Sequence, residues 1–379
     1  MKFRILLRLF FCLSILLFGN NAHAWVDPPA KIDEKDLGSG LVYSVYTHKL
    51  TGNFYYVQLS GNSSSWTVTP SVNPTGITKC STVKNHAFST DERSVFSVNA
   101  SYFDPAKYPI GTVVINGDIV ALDSQNRTSM GIKTNHCTII GRVKPRAFVT
   151  PDDYFEPIWI WGYNHPSKAD SIVAYNKYYG STTLKVPSDG MAVRIIDGVI
   201  DVVRKSGPVD LDNNSLVLVF RGKSCKHADR FKPGRKVTYG LVMPEEWSDV
   251  SSIVTGGPRI IENGKVPNIS SNPEGFESGI FGKHSRTIAG VTYNNEIFFA
   301  VFPSSVTYSD AASVLLEMNA MDAMSLDGGS SSSIWVKGIK SHNPNREVPV
   351  AIVIKPLNFK SSQLKTIPYY EDKYWNRHR

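Results

Sequence analysis

Residues 325–332 read SLDGGSSS, directly after an apolar, helix-like run at 309–321. Two folds fit this stretch. In one, Asp327-Gly328 is the two-residue type I′ turn that this pair favours, and Ile334, Trp335 and Val336 are the returning strand. In the other, Gly328 and Gly329 supply positive φ and close backbone approach. Consecutive N–H groups then face an anion beside the Asp327 carboxylate, at the end of a short buried strand at 323–326. The rest of the chain decides between them.

Working outward, the commonest pattern is a pair of short apolar runs joined by a two-residue turn. It occurs around Asn116-Gly117, Asp197-Gly198 and Asn263-Gly264, and more weakly around Asn294-Asn295 and Lys337-Gly338. Such turns between β-branched residues predict hairpins. Helix signals are few. The clearest is 309–321, with Ser309 as cap, Asp310 at the positive end of the dipole, and Val314, Leu315, Met318 and Met321 at helical spacing. The expected fold is therefore α+β, a single domain built on antiparallel β-hairpins with a few helices. A strand-rich leader at 25–75 packs on a main domain at 76–357, and a polar tail follows at 358–379. The aromatic-rich stretch at 153–179, with Trp159, Trp161, Tyr163, Tyr175, Tyr178 and Tyr179, reads as packing more than as a sugar platform.

The first 24 residues carry Lys2, Arg4 and Arg8, an apolar run at 9–18 and then Ala22-His23-Ala24, the pattern of a cleaved signal peptide. Export to the periplasm or the exterior is expected, with no integral membrane segment. Removing those three cations takes the formal charge from +8 to +5, too modest and scattered for nucleic-acid binding. Cys80, Cys137 and Cys225 remain, and in an oxidising compartment they predict one disulfide and one free thiol, with the pairing open. No transition-metal motif appears, and no cofactor is expected; a cation at Asp327 has no dedicated cage to support it.

Four segments belong together: NASYFD at 99–104, TGGP at 255–258, HSRTIAG at 284–290, and SLDGGSSS. In this order, with hairpins between them, they resemble the phosphodiester glycosidase family over roughly residues 95–356. The chain departs from the family pattern at Ala100-Ser101, where Gly-Gly is common, and at Ser325, where Asn is common. The resemblance implies hydrolysis of a sugar 1-phosphodiester at the anomeric bond, N-acetylglucosamine 1-phosphodiesters among the candidates, on a glycan or lipid-linked substrate. It implies Asp327 as acid/base or nucleophile, Arg286 as phosphate clamp, His284 as proton carrier or phosphate ligand, and Asp104 as second carboxylate. Asn99, Gly256, Gly257, Thr287, Gly328, Gly329 and Ser330 are the implied substrate-binding residues. A phosphate leaving group needs less protonation than an alcohol, so cations and backbone donors can carry much of the stabilisation. Two other readings stay open: a non-catalytic glycan-binding protein on the same scaffold, and a phosphodiesterase that attacks phosphorus.

Overall fold

The strand Ile297–Val306 opens with IFFAVF, an unbroken apolar run, because both of its faces are covered. Ile297, Phe299 and Val301 enter one core cluster, whereas Phe298, Ala300 and Phe302 enter another. This split at a period of two residues is what an internal strand requires. The computed structural model describes residues 26–357, apart from 62, 123–124, 340–341 and 344. The expected signal segment at 1–24 and the tail at 358–379 lie outside the described residues.

That strand sits at the centre of a seven-stranded antiparallel sheet. The order is Ala30–Gly38, Leu41–His48, Gly52–Leu59, Ile297–Val306, His284–Thr292, Ala320–Ser325 and Arg259–Ile261. Residues 30–59, read from the sequence as a leader, thus supply three of its strands. The helix Tyr308–Glu317 covers one face, where Ala311, Ala312, Val314 and Leu315 meet Phe54, Phe298 and Phe302. Against the other face lies a four-stranded sheet ordered Ile334–Val336, Phe96–Asn99, Val350–Pro356 and Trp66–Val72. A second core, around Phe220, Leu241 and Trp247, joins the sheets of residues 113–255. Its hairpins turn as expected: Asn116-Gly117 and Asp197-Gly198 both have two consecutive positive φ values, the type I′ signature.

The α+β expectation is corrected. The chain is mostly β, with 48% of residues in strands and 13% in helices, in several small antiparallel sheets. The helical run at 309–321 accounts for less helix than its pattern suggested. Thr307 is the cap, in a capping box with Asp310, and the helix starts at Tyr308. It ends at Glu317, and Asn319 reverses the chain at φ 68, so Met321 belongs to the next strand. The other α-helix among the described residues, Val83–Thr90, has only Val83, His86 and Ala87 buried, too sparse a stripe to stand out in sequence.

The expected disulfide is also corrected, since Cys80, Cys137 and Cys225 are all free. Cys137 lies in the turn between strands 127–133 and 138–143, Cys225 in the 3-10 helix Gly222–Arg230, and Cys80 before the helix Val83–Thr90. These are three different parts of the fold. Alkylation in denaturant without reductant should therefore label all three thiols, and labelling of one alone would mean that a bridge had formed.

Candidate functional site

The hairpin reading of SLDGGSSS fails in a specific way. Strand Ala320–Ser325 pairs within the seven-stranded sheet, whereas Ile334–Val336 pairs with Phe96–Asn99 in the other. Residues 326–333 therefore cross between two packed sheets, and the remaining motif segments close around that crossing. Gly257 N–H donates to Ser325 O at 2.8 Å, and Ser325 N–H to Pro258 O at 3.0 Å. Leu326 N–H donates to Thr287 O at 2.8 Å, and Asp327 N–H to Ala100 O at 2.8 Å. Segments far apart in sequence thus hold three consecutive residues.

Asn99 locks this arrangement from beneath. It is fully buried; its Nδ2 donates to Asp327 O at 2.6 Å, and its Oδ1 accepts from Thr287 Oγ1 at 2.8 Å and Ser333 N at 3.0 Å. The sequence reading aimed Asn99 and Thr287 at substrate; in the structure they are spent on each other and on the backbone. The glycine pairs have divided roles. Gly256 and Gly328 are needed for contact, since a Cβ would lie 2.5 Å from Ser325 O and 2.9 Å from Ser285 O respectively. Gly257 and Gly329 supply the positive φ, at 93° and 60°.

Asp327 is half-buried at the turn. Burial raises it from 3.8 to about 6, opposed by hydrogen bonds from Ser331 and the Gly328 N–H and by the charge of Arg346. Arg286 lies beneath, 2% exposed, with no carboxylate within 4.0 Å among the described residues. Its Nε donates to Val306 O at 3.2 Å, and its Nη2 to Ile280 O at 2.9 Å and to Gly282 O. The guanidinium also packs 3.7 Å from the Tyr308 ring, and desolvation holds its pKa below the usual arginine value. Three of its five donors are therefore committed to carbonyls, leaving the Nη1 edge. His284 Nε2 is 2.9 Å from Gly279 O, so it and Arg286 together tether the 279–282 segment.

Two implied site residues fall elsewhere. Asp104 accepts from Tyr108 N–H at 2.9 Å, as an Asp-Pro turn residue does. It lines a cavity of about 590 Å³ with Trp161, His165 and Lys168, a cavity that Asp327, Arg286 and His284 do not line. Ser330 is exposed; the serine turned to Asp327 is its neighbour, Ser331. Among the aromatics of 153–179, Tyr163 and Tyr175 are buried and Trp159 packs 3.6 Å from the Arg146 guanidinium, whereas Trp161 is 71% exposed. Glu274, close to Gly257, is a buried carboxylate but accepts from Thr128 N, Thr128 Oγ1 and Arg259 N. No group of three or more His, Cys, Asp and Glu gathers as a metal cage among the described residues, and no helix there is long and apolar enough to cross a membrane.

Three residues near the site were passed over in sequence. Tyr102 donates to Gly257 O at 3.0 Å, and desolvation, Tyr308 and the Asp327 charge push its phenol well upward. Tyr308 lies behind Arg286. Arg346 reaches Ser331 Oγ at 3.2 Å. Tyr102 sits inside NASYFD and was within reach of the motif argument; Tyr308 looks like a helix residue, and Arg346 lies in an unremarkable loop.

Two outcomes follow for stability. Asn99→Ala orphans three buried partners and should destabilise the fold by on the order of 3 kcal/mol in a denaturant titration. Asp327 holds its proton more tightly folded than unfolded, so its contribution to stability falls as pH rises from about 4 to about 6. The penalty is full above that range, at most roughly 3 kcal/mol. Asp327→Asn should raise the melting temperature at pH 8 and leave it unchanged at pH 4.

Residues 190–355 match the family model described as phosphodiester glycosidase, a span that begins after the Asn99 segment. No curated protein matches the chain. A hypothetical protein from Synechocystis superimposes at TM-score 0.70 and 18% identity, over 87% of this chain and 64% of its own. This chain thus spans less than two thirds of that relative. A Burkholderia pseudomallei protein whose name calls it exported superimposes at TM-score 0.64 and 16% identity, over 83% of this chain and 74% of its own. At these identities both establish the fold alone. The catalytic domain of zebrafish N-acetylglucosamine-1-phosphodiester α-N-acetylglucosaminidase, auto-inhibited by its pro-peptide, reaches only TM-score 0.46 at 12% identity, over 89% of this chain and 85% of its own. Residues 190–355, which hold Gly257, Arg286 and Asp327, are thus similar to the phosphodiester glycosidase family.

Proposed function

We propose that this chain is an exported hydrolase that cleaves a sugar 1-phosphodiester at the anomeric bond, releasing free sugar and a phosphomonoester, with Asp327 as the proton acceptor. The observation that carries the reading is the convergence of four separated segments on one titrating carboxylate, with Arg346 acting on its charge and Arg286 packed against Gly328, neither arginine in an ion pair among the described residues. An aspartate near pH 6 is ionised at neutral pH yet basic enough to take a proton from water. That water adds to the anomeric carbon as the bond to the phosphate oxygen breaks, and the departing electron pair stays on phosphate. Asp104 and Glu274 are tied into turns and loops, so neither candidate among the described residues is free to be the second carboxylate of the usual glycosidase pair. Phosphate is a good enough leaving group to depart without an acid.

The test is turnover of UDP-N-acetylglucosamine and related sugar 1-phosphodiesters in heavy-oxygen water. Label should enter the sugar; label in the phosphate would mean attack at phosphorus, and binding without turnover would mean a glycan-binding protein. Asp327→Asn should lose about a thousandfold in rate while remaining folded. For a base, kcat/KM rises with pH through about 6 and then levels, and the product anomer is inverted. Retention would make Asp327 a nucleophile instead.

A further inference from the structure

We propose that Arg346, placed by the turn that Asn343 closes, is the guanidinium that meets the substrate's phosphate, and that it forms with the 328–331 turn an anion subsite beside Asp327. This inference rests on the proposed function and names a residue of its site.

Of the other half-buried arginines, Arg194 pairs with Asp201, Arg221 with Asp189, and Arg259 with Asp322 and Glu262, while Arg146 and Arg230 stack on Trp159 and Tyr154. Arg346 is likewise half-buried but has no carboxylate within 4.0 Å among the described residues, Glu347 beside it in the chain included. Its Nε is enclosed and without a hydrogen-bond partner. A charged donor in that position costs free energy unless an acceptor arrives. The hydrogen bond the structure gives its fork, from Nη2 to Ser331 Oγ at 3.2 Å, points it at the turn that carries Asp327.

The placement is fixed. Asn343 stands at φ 48 and its Nδ2 donates to Ser330 O at 2.9 Å and Ser332 O at 3.1 Å, which straps the loop to the turn. Arg346 N–H closes a turn on Asn343 O at 3.2 Å. Ser331 then serves as a relay, accepting from Arg346 while donating to the Asp327 carboxylate. Arg286 is less suited to the role, because Nε and both Nη2 donors are held by carbonyls and its side chain is closed off. The two arginines divide the work: Arg286 braces the floor, and Arg346 brings an Nε without a partner and a fork turned to the Asp327 turn, donors that phosphate oxygens can engage.

Inorganic phosphate is the probe, titrated calorimetrically into the whole protein at neutral pH and low salt. Wild type should bind it saturably, and Arg346→Gln, which keeps a donor for Ser331 but not the charge, should bind at least tenfold more weakly. Arg346→Lys should recover part of the loss, and Arg235→Gln, whose side chain pairs with Asp153, should bind as wild type. Equal phosphate binding by Arg346→Gln and wild type, or no saturable binding by wild type, would overturn the subsite. Unchanged melting temperatures keep a folding defect from passing as lost binding. Phosphate binding without any hydrolysis would sink only the proposed reaction, whereas hydrolysis competing with no phosphate would sink only this subsite.

Discussion

The side-chain amide of Asn99 is the constraint on which the site depends. With one acceptor oxygen and one donor nitrogen it ties Thr287, Asp327 and Ser333, residues on both packed sheets and on the crossing between them. Each of these bonds is modest against water, but at zero exposure the alternative is a set of orphaned polar groups. The register between the two sheets is therefore fixed where the Asp327 carboxylate emerges. A site built this way has little freedom to drift, as the proposed reaction requires.

The same crossing explains the electrostatics. Bringing Asp327 out of water at the junction raises its pKa, and the donors of the turn and Arg346 restrain the rise without cancelling it. Arg286 meets its own desolvation with carbonyl dipoles and an aromatic face instead of a carboxylate. Had it paired with Asp327 as a buried salt bridge, the carboxylate would be pushed toward the low end of its range and would be a poor proton acceptor. Separating buried cation from titrating acid by the thickness of a turn keeps both charged and the acid basic. The cost is carried as lost stability above pH 6, a common bargain where a fold serves chemistry.

Much of this was legible in the sequence, unevenly. The Asn-Gly and Asp-Gly hairpins were readable because a type I′ turn demands residues that tolerate positive φ. The four motif segments were readable as a set, and the structure brings Asn99, Gly257, Thr287, Arg286 and Asp327 into one neighbourhood. Their individual roles were not, because a motif names residue types and leaves open which partner each one meets. Asn99 as a glycan ligand and Asn99 as a buried cross-link are written with the same letter. The fold class went wrong for a related reason: a thirteen-residue apolar stripe gave one ten-residue helix, since the Asn319 reversal turned its end into a strand. Arg346 left no local signal, as its significance comes from a contact with the turn fifteen residues earlier in the chain.

The chemistry attributed to the family also accounts for a feature that would be awkward in an ordinary glycosidase. Asp104 accepts from the Tyr108 N–H and lines a separate cavity, and Glu274 accepts from Thr128 N, Thr128 Oγ1 and Arg259 N, so a swing of either would break a turn or loop contact. For an alcohol leaving group that would be a defect, because an alkoxide must be protonated as it departs. A phosphate oxygen spreads its charge over its neighbours and asks for cations and donors instead. On the proposed reaction, a site with one basic carboxylate, glycine turns that bring backbone close, and arginines unpaired with acids would suit such a leaving group. The lack of a second free carboxylate and of carboxylate partners for Arg286 and Arg346 among the described residues would then both follow from the proposed phosphate leaving group.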